Sequence, residues 1–324
     1  MATALATGCS WADESPQDTA ASESPAEEPR RLSFRTEQVV YKTEPRKLTY
    51  TAIVPEADAA SDAAAEPGAS TSPAAARRAG VVFFHGGGWV GGKPGQFRQQ
   101  SEELAARGVC CFLVEYRLRS KDKTPATACV EDAWDAWAAI VGEADRWHLD
   151  TERLAVGGGS AGGHIAACLG TGVVPPQRTD GGTITPPEVR PAAMVLFNPG
   201  VCLAEFEGYM PVAFENTNEN KVGCEPRLLS PLHHVDAQTP PTLIVHGTAD
   251  TTISIRSPAL FVERLQQFGT KAELKRHKGQ GHGFFNSDNR GGGDYPGYSR
   301  TLAELLQFLD EQGWFAASET TTAR

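Results

Sequence analysis

Val156-Gly157-Gly158-Gly159-Ser160-Ala161-Gly162-Gly163 decides how the chain reads, because the local pattern changes inside it. Before it runs a short apolar segment, Leu154-Ala155-Val156, and after it His164-Ile165-Ala166-Ala167-Cys168-Leu169 has helical character. A strand, a glycine-rich turn bearing a serine, and a helix are therefore predicted in succession, with Gly158, Ser160 and Gly162 spaced G-x-S-x-G. The spacing has a physical cause. A nucleophile held at a tight, strained turn has its oxygen pushed clear of the sheet. Glycine two residues to either side avoids side chains that would strike neighbouring backbone. The helix that follows points its amide dipoles at charge developing near Ser160.

Two other readings compete. The turn can be a plain tight connection, and Gly157, Gly159 and Gly162 also satisfy G-x-G-x-x-G, the dinucleotide fingerprint. That fingerprint needs an acidic residue about 20 positions on, at the end of a second strand. Residues 172–187 are rich in proline, glycine and threonine and do not read as a strand, which disfavours it. A serine nucleophile needs partners, and the rest of the chain has to supply them.

Working outward, residues 81–84 (V-V-F-F) form a short unbroken apolar run, as expected of a parallel strand buried on both faces. Residues 109–114, 192–197 and 242–245 repeat that signature. Helical spacing marks residues 96–107, 126–147, 257–268 and 299–312, and a last strand is predicted over 271–277. Strands alternating with helices imply an α/β fold, a mostly parallel central sheet covered on both faces. Residues 33–41 and 47–54 read as a hairpin of edge strands.

The 324 residues suit one large domain with tails, placed at 33–316. Residues 1–32 and 317–324 are expected to be disordered, and 55–79 is a low-complexity loop insert. Residues 201–235 are expected to form a small cap. With 30 basic against 40 acidic residues the net charge is -10, which argues against nucleic acid as a partner. No apolar run reaches the roughly 18 residues that would span a bilayer. The start, Leu5-Ala6-Thr7-Gly8-Cys9-Ser10, looks like the end of a bacterial lipoprotein signal, with Cys9 as lipid anchor and an acidic tether after it. It lacks a basic and an apolar stretch ahead of it, so a truncated signal and a chance match both stay open, as do cell-envelope and cytoplasmic locations. Of seven cysteines, Cys110, Cys111, Cys129 and Cys168 read as small core hydrophobes. Cys202 and Cys224 share one connection, which leaves a disulfide between them open.

The partners of Ser160 follow predicted strands. His85-Gly86-Gly87-Gly88-Trp89 comes after the first buried strand, where bare glycines let backbone N–H groups face a carbonyl oxygen. Gly87, Gly88 and Ala161 are the candidate oxyanion donors, and His85 is expected to brace the loop. The general base should follow the last strand, where Gly279-Gln280-Gly281-His282-Gly283-Phe284-Phe285 supplies His282. The other histidines have plainer readings: His246 and His277 lie in strand patterns, His233 and His234 in the cap, His148 and His164 beside helices. Asp250 lies just past a buried strand, where a carboxylate can orient the imidazole. Asp288 and Asp294 sit in a loop that looks solvated.

With H-G-G-G-W, G-G-S-A-G-G, H-G-T-A-D and G-H-G-F in this order, the chain resembles the α/β-hydrolase superfamily, and within it esterases of the hormone-sensitive-lipase type. The resemblance implies Ser160, Asp250 and His282 as a triad and Gly87, Gly88 and Ala161 as oxyanion donors. One departure stands out, because that type usually reads G-D-S-A-G-G and Gly159 replaces the aspartate. With no long amino-terminal helical cap evident, this shifts the expectation toward bacterial acetyl-esterase and acetyl-xylan or feruloyl-esterase relatives, acting on a short acyl ester or an acetylated or feruloylated carbohydrate. H-G-G-x-W also occurs in arylformamidases, so Trp89 keeps that amide hydrolysis open, and a non-catalytic binding homologue is a third reading. No metal and no organic cofactor is implied. Trp89, Phe206, Tyr209, Met210 and Phe214 are candidate pocket residues.

Overall fold

The computed structural model describes residues 31–56, 77–287 and 296–315. Cys9, Asp288, Asp294, the 317–324 tail and most of the 1–32 and 55–79 stretches lie outside them.

Eight strands form one sheet: β1 (Phe34–Lys42), β2 (Leu48–Pro55), β3 (Arg78–Phe84), β4 (Cys110–Val114), β5 (Leu149–Gly159), β6 (Ala193–Phe197), β7 (Thr242–Gly247) and β8 (Ala272–His277). Their spatial order is β1-β2-β4-β3-β5-β6-β7-β8. β1 with β2 and β2 with β4 are antiparallel, and every other pair is parallel. The expected hairpin is therefore present, but only β1 is an edge. β2, with Tyr50, Ala52 and Ile53 fully buried, pairs with β4 along its other edge.

The helices are α1 (Arg98–Ala105), α2 (Arg119–Asp122), α3 (Ala126–Gly142), α4 (Ala144–Trp147), α5 (Ala161–Gly170), α6 (Glu219–Val222), α7 (Arg256–Gln267) and α8 (Pro296–Glu311). Two predicted helices are subdivided. Pro94, which donates no N–H, opens a 3-10 turn (Pro94–Phe97) ahead of α1. The pattern over 126–147 breaks after Gly142 into α3 and α4, and His148 ends α4 in the left-handed region.

Alternate residues of each central strand enter two cores. Val82, Phe84, Phe112, Val114 and Val156 join the layer that holds Ala133, Trp137, Ile165 and Leu169 of α3 and α5. Val81, Phe83, Cys111, Leu113 and Ala155 join Leu104 of α1 and Leu305, Phe308 and Leu309 of α8. This two-sided burial is why the strands read as unbroken apolar runs instead of alternating ones. The strand order reverses around β3, flanked by β4 on one side and β5 on the other. The crevice beyond the carboxyl ends at such a reversal is where open α/β sheets place their ligands. The His85–Trp89 loop leaves the end of β3, and Ser160 follows β5.

Candidate active site

Ser160 sits between β5 and α5 with φ +56° and ψ -119°, a conformation that non-glycine residues rarely hold and that costs roughly 1–3 kcal/mol. Neighbouring backbone over-determines it. The Ser160 N–H donates to Phe197 O at 2.9 Å, and Ser160 O accepts from His164 N at 3.0 Å and Gly200 N at 3.4 Å. The flanking glycines answer to contact. A Cβ on Gly158 would lie 2.5 Å from the Gly162 carbonyl, and one on Gly162 would lie 2.1 Å from Phe84 O.

The structure brings Ser160, His282 and Asp250 together. The Ser160 hydroxyl donates to His282 Nε2 at 2.8 Å, and His282 Nδ1–H donates to Asp250 Oδ2 at 2.8 Å. Asp250 Oδ1 accepts from the N–H groups of Thr252 (2.8 Å) and Ile253 (3.0 Å), which fix the carboxylate. Its side chain is fully buried, and His282 keeps about a quarter of its exposure. Burial works to raise the Asp250 carboxyl. The hydrogen bond from His282, the Ile253 N–H, the His282 charge and the Asn198 amide outweigh it and hold the carboxyl down to about 2. Such a row can take the serine proton onto the imidazole and keep the resulting imidazolium beside an anion.

The His85–Trp89 loop passes directly over Ser160, since a Cβ on Gly86 would lie 3.3 Å from the Ser160 Cβ. Gly87 (φ +125°) and Gly88 (φ +67°) use the left-handed region, and a Cβ on Gly87 would strike Gly91 O at 2.1 Å. Among the described residues no group of the protein takes the N–H of Gly87, Gly88 or Ala161, which leaves three donors for a ligand oxygen. The N–H of Gly86 is held by Gln96 Oε1 at 2.6 Å. His85 is buried and stacked on Tyr116, whose hydroxyl donates to the His85 carbonyl. Burial pushes its imidazole down to about 4.

The remaining histidines have structural partners. His164 Nε2 lies 2.8 Å from Leu229 O, His246 Nε2 3.1 Å from Ile253 O, and His277 Nε2 2.9 Å from Glu304. His233 bridges Ser230 and Glu205 O, His234 meets Arg227 O, and His148 caps α4. The pocket candidates divide. Phe214 lies beside the loop, its ring 3.6 Å from where Gly88 would carry a Cβ and 3.1 Å from the same point on Gly200. Trp89 is 1% exposed, so it backs the Phe214 ring (centroids 4.6 Å apart) and does not face an open pocket. Phe206 packs on His233 in a small turn with Tyr209, and Met210 points to solvent. Cys202 and Cys224 are free thiols, which closes the question of a disulfide between them.

Four supporting residues escaped the sequence reading. Asn198, at the end of β6, donates its amide to Asp250 Oδ2 at 2.5 Å, and its place at a strand's carboxyl end was the available signal. Gln96 also donates to Asn286 at 2.7 Å, tying the glycine loop to the His282 loop. Glu215 accepts from Val201 N, Cys202 N and Ser257 Oγ (2.8, 3.0 and 2.5 Å), and nothing in its neighbouring sequence marks it.

A family model described as alpha/beta hydrolase fold matches residues 81–286. The chain is 27% identical over 227 residues to Esterase LipC of Mycobacterium tuberculosis, covering 63% of this chain and 52% of that one. It is 38% identical over 89 residues to AB hydrolase superfamily protein C1039.03 of Schizosaccharomyces pombe, 27% of this chain and 26% of that one. It thus spans about half of the first relative's length and about a quarter of the second's. Among solved structures, a thermophilic esterase of the planctomycete Thermogutta terrifontis, Est2, is similar at TM-score 0.70 and 33% identity, over 90% of this chain and 95% of that one. The butyrate-bound form of that esterase is similar at TM-score 0.69 and 34% identity, over 91% of this chain and 98% of that one.

Proposed function

The chain belongs to the alpha/beta hydrolase fold family, and from that premise we propose that it is a serine carboxylester hydrolase acting on short acyl groups. The observation that carries the reading is the Asp250–His282–Ser160 row at 2.8 and 2.8 Å beneath three uncommitted backbone donors.

In the proposed reaction Ser160 Oγ attacks the ester carbonyl carbon as its proton passes to His282 Nε2. The carbonyl oxygen becomes an oxyanion held by the N–H groups of Gly87, Gly88 and Ala161, each worth roughly 3 kcal/mol in a dry site. The C–O bond to the alcohol breaks, and the alcohol leaves with the proton from His282. A water then gives its proton to His282 and attacks the acyl-serine. Collapse returns that proton to Ser160 Oγ and releases the acid. Asp250 keeps the Nδ1–H tautomer and stabilises the imidazolium without taking the proton.

Two observations favour a short acyl group. The Phe214 ring fills the space between Gly88 and Gly200, close to the nucleophile, and the similar Est2 structures include propionate-bound and butyrate-bound forms.

The test is hydrolysis of p-nitrophenyl esters from acetate to decanoate by wild type and Ser160→Ala, followed by acetylated xylan and N-formylkynurenine. A maximum at acetate to butyrate, lowered about 10³-fold or more by Ser160→Ala, is the expected outcome. A folded wild type that hydrolyses none of these, or a Ser160→Ala variant of undiminished rate, would overturn it.

A further inference from the structure

The Phe214 ring that borders the glycine loop carries a cation on its other contact. Lys221 Nζ lies 4.4 Å from the Phe214 ring centroid and 5.3 Å from that of Trp89. Lys221 is half-buried, and among the described residues no carboxylate comes within ion-pairing distance of it. Arg119, whose N–H donates to Trp89 O at 2.9 Å, is the neighbouring charge, and it too has no carboxylate partner among the described residues.

The sequence holds ten more acids than bases, and the more deeply buried cations Lys42, Arg117 and Arg178 each meet two or three carboxylates. Arg78 and Arg264, half-buried like Lys221, also lack a carboxylate, but each donates to an oxygen, Pro55 O and Gln267 Oε1, whereas Lys221 Nζ has no hydrogen-bond partner among the described residues. A partly desolvated ammonium beside a second cation is an incomplete ion site, and an arriving anion would complete it. Burial, then the Arg119 charge, lower the Lys221 ammonium from its ordinary range, and the charge of an anion on the same spot would oppose that shift.

We propose that Lys221, seconded by Arg119, is an anion subsite one aromatic ring from Ser160, selecting esters whose acyl group ends in a carboxylate, such as half-esters of short dicarboxylic acids. The acyl side is assigned because the Phe214 ring lies against Gly88 of the oxyanion loop and against Gly200, and Lys221, from the same 201–235 connection, sits on that ring. The inference rests on the ester-hydrolase reading. Packing of the lysine on two rings for its own sake would give no dependence on substrate charge, which separates the two explanations.

The experiment compares 4-nitrophenyl hemisuccinate with 4-nitrophenyl butyrate, corrected for spontaneous hydrolysis. Both have a four-carbon acyl group and the same leaving group, so they differ at the acyl terminus. The readout is the ratio of their kcat/KM values in wild type, Lys221→Met, Lys221→Arg and Lys221→Glu. The ratio should fall about fivefold to tenfold in Lys221→Met, fall further in Lys221→Glu and stay near wild type in Lys221→Arg. It should also decline in wild type as salt is raised, since a half-exposed pair is screened. A ratio unchanged by Lys221→Met and insensitive to salt, with butyrate still turned over, would overturn the subsite and leave the esterase standing. No Ser160-dependent turnover of either ester would overturn both. If Lys221→Met does not fold, the contrast of Lys221→Arg with Lys221→Glu and the salt series decide alone.

Discussion

Gly159 shows how one missing side chain is matched elsewhere in the site. A Cβ there would lie 2.4 Å from Phe285 Cζ and 2.8 Å from its Cε2. Phe285 cannot yield, being 1% exposed and stacked on Phe97 (5.9 Å, 9°) and against Phe197 (5.2 Å). The chain's departure from G-D-S-A-G-G is therefore paired with the second phenylalanine of G-H-G-F-F, three residues after His282. Gly159→Ala should cost about 1–3 kcal/mol by overpacking and lower kcat/KM, because the displaced ring belongs to the loop that positions the imidazole. Phe285→Leu should recover part of both losses in the double variant, although it loses stability alone. Thermal midpoints and p-nitrophenyl butyrate kinetics of the four proteins check this. A Gly159→Ala protein as stable and active as wild type would remove the argument.

Between elements, a dense electrostatic tie is built on α3. Glu131, Asp132 and Asp135 on α3 bring carboxylate oxygens within 4.8 Å of one another, a spacing that could suit a cation. Three side chains already meet that charge: Lys42 from β1, Arg117 from the connection after β4, and Arg178 from the connection after α5. Arg117 and Asp132 are 1% and 0% exposed, so Arg117→Met should remove the most deeply buried cation of the network, leaving Asp132 with Lys42 alone among the described cations, and cost about 3 kcal/mol. Lys42→Met, at a site 10% exposed and with two other cations remaining, should cost clearly less. Urea midpoints compare them, and equal shifts would contradict the ranking. No sequence pattern shows this network, because Lys42 and Asp132 are 90 positions apart and only the sheet order brings them together. The central strands were legible because burial on both faces leaves unbroken apolar runs. Residues 201–235 were not, because short turns such as Ala213–Glu215 and Pro226–Leu229 have no period to detect.

At the scale of the whole molecule, the order of strand ends made the site readable. Ser160, Asp250 and His282 each follow a strand in turn, and parallel pairing brings those ends to one edge. What stayed hidden is the second layer, Asn198, Gln96, Asn286 and Glu215, whose roles depend on contacts across the sheet. Two of the site's carboxylates give global stability opposite slopes in pH. Asp250 is held down to about 2 from an ordinary 3.8, so its contribution is present above 3.8 and is lost as pH falls toward 2. Glu215 is pushed up to about 7 from 4.5, because its burial outweighs the Ser257, Cys202 and Val201 donors. The folded state therefore holds the Glu215 proton more tightly than the unfolded state. Its contribution is full below 4.5 and is lost as pH rises through 7, a change of roughly 3 kcal/mol at most. Glu215→Gln keeps an acceptor for those donors and removes the titration. Relative to wild type the variant should gain stability steadily from pH 4.5 to 7.5 and hold that gain above it, read from urea unfolding at half-unit pH steps. A constant difference across that range would mean that Glu215 does not change its proton uptake on folding, and that its three donors keep it ionised despite its burial.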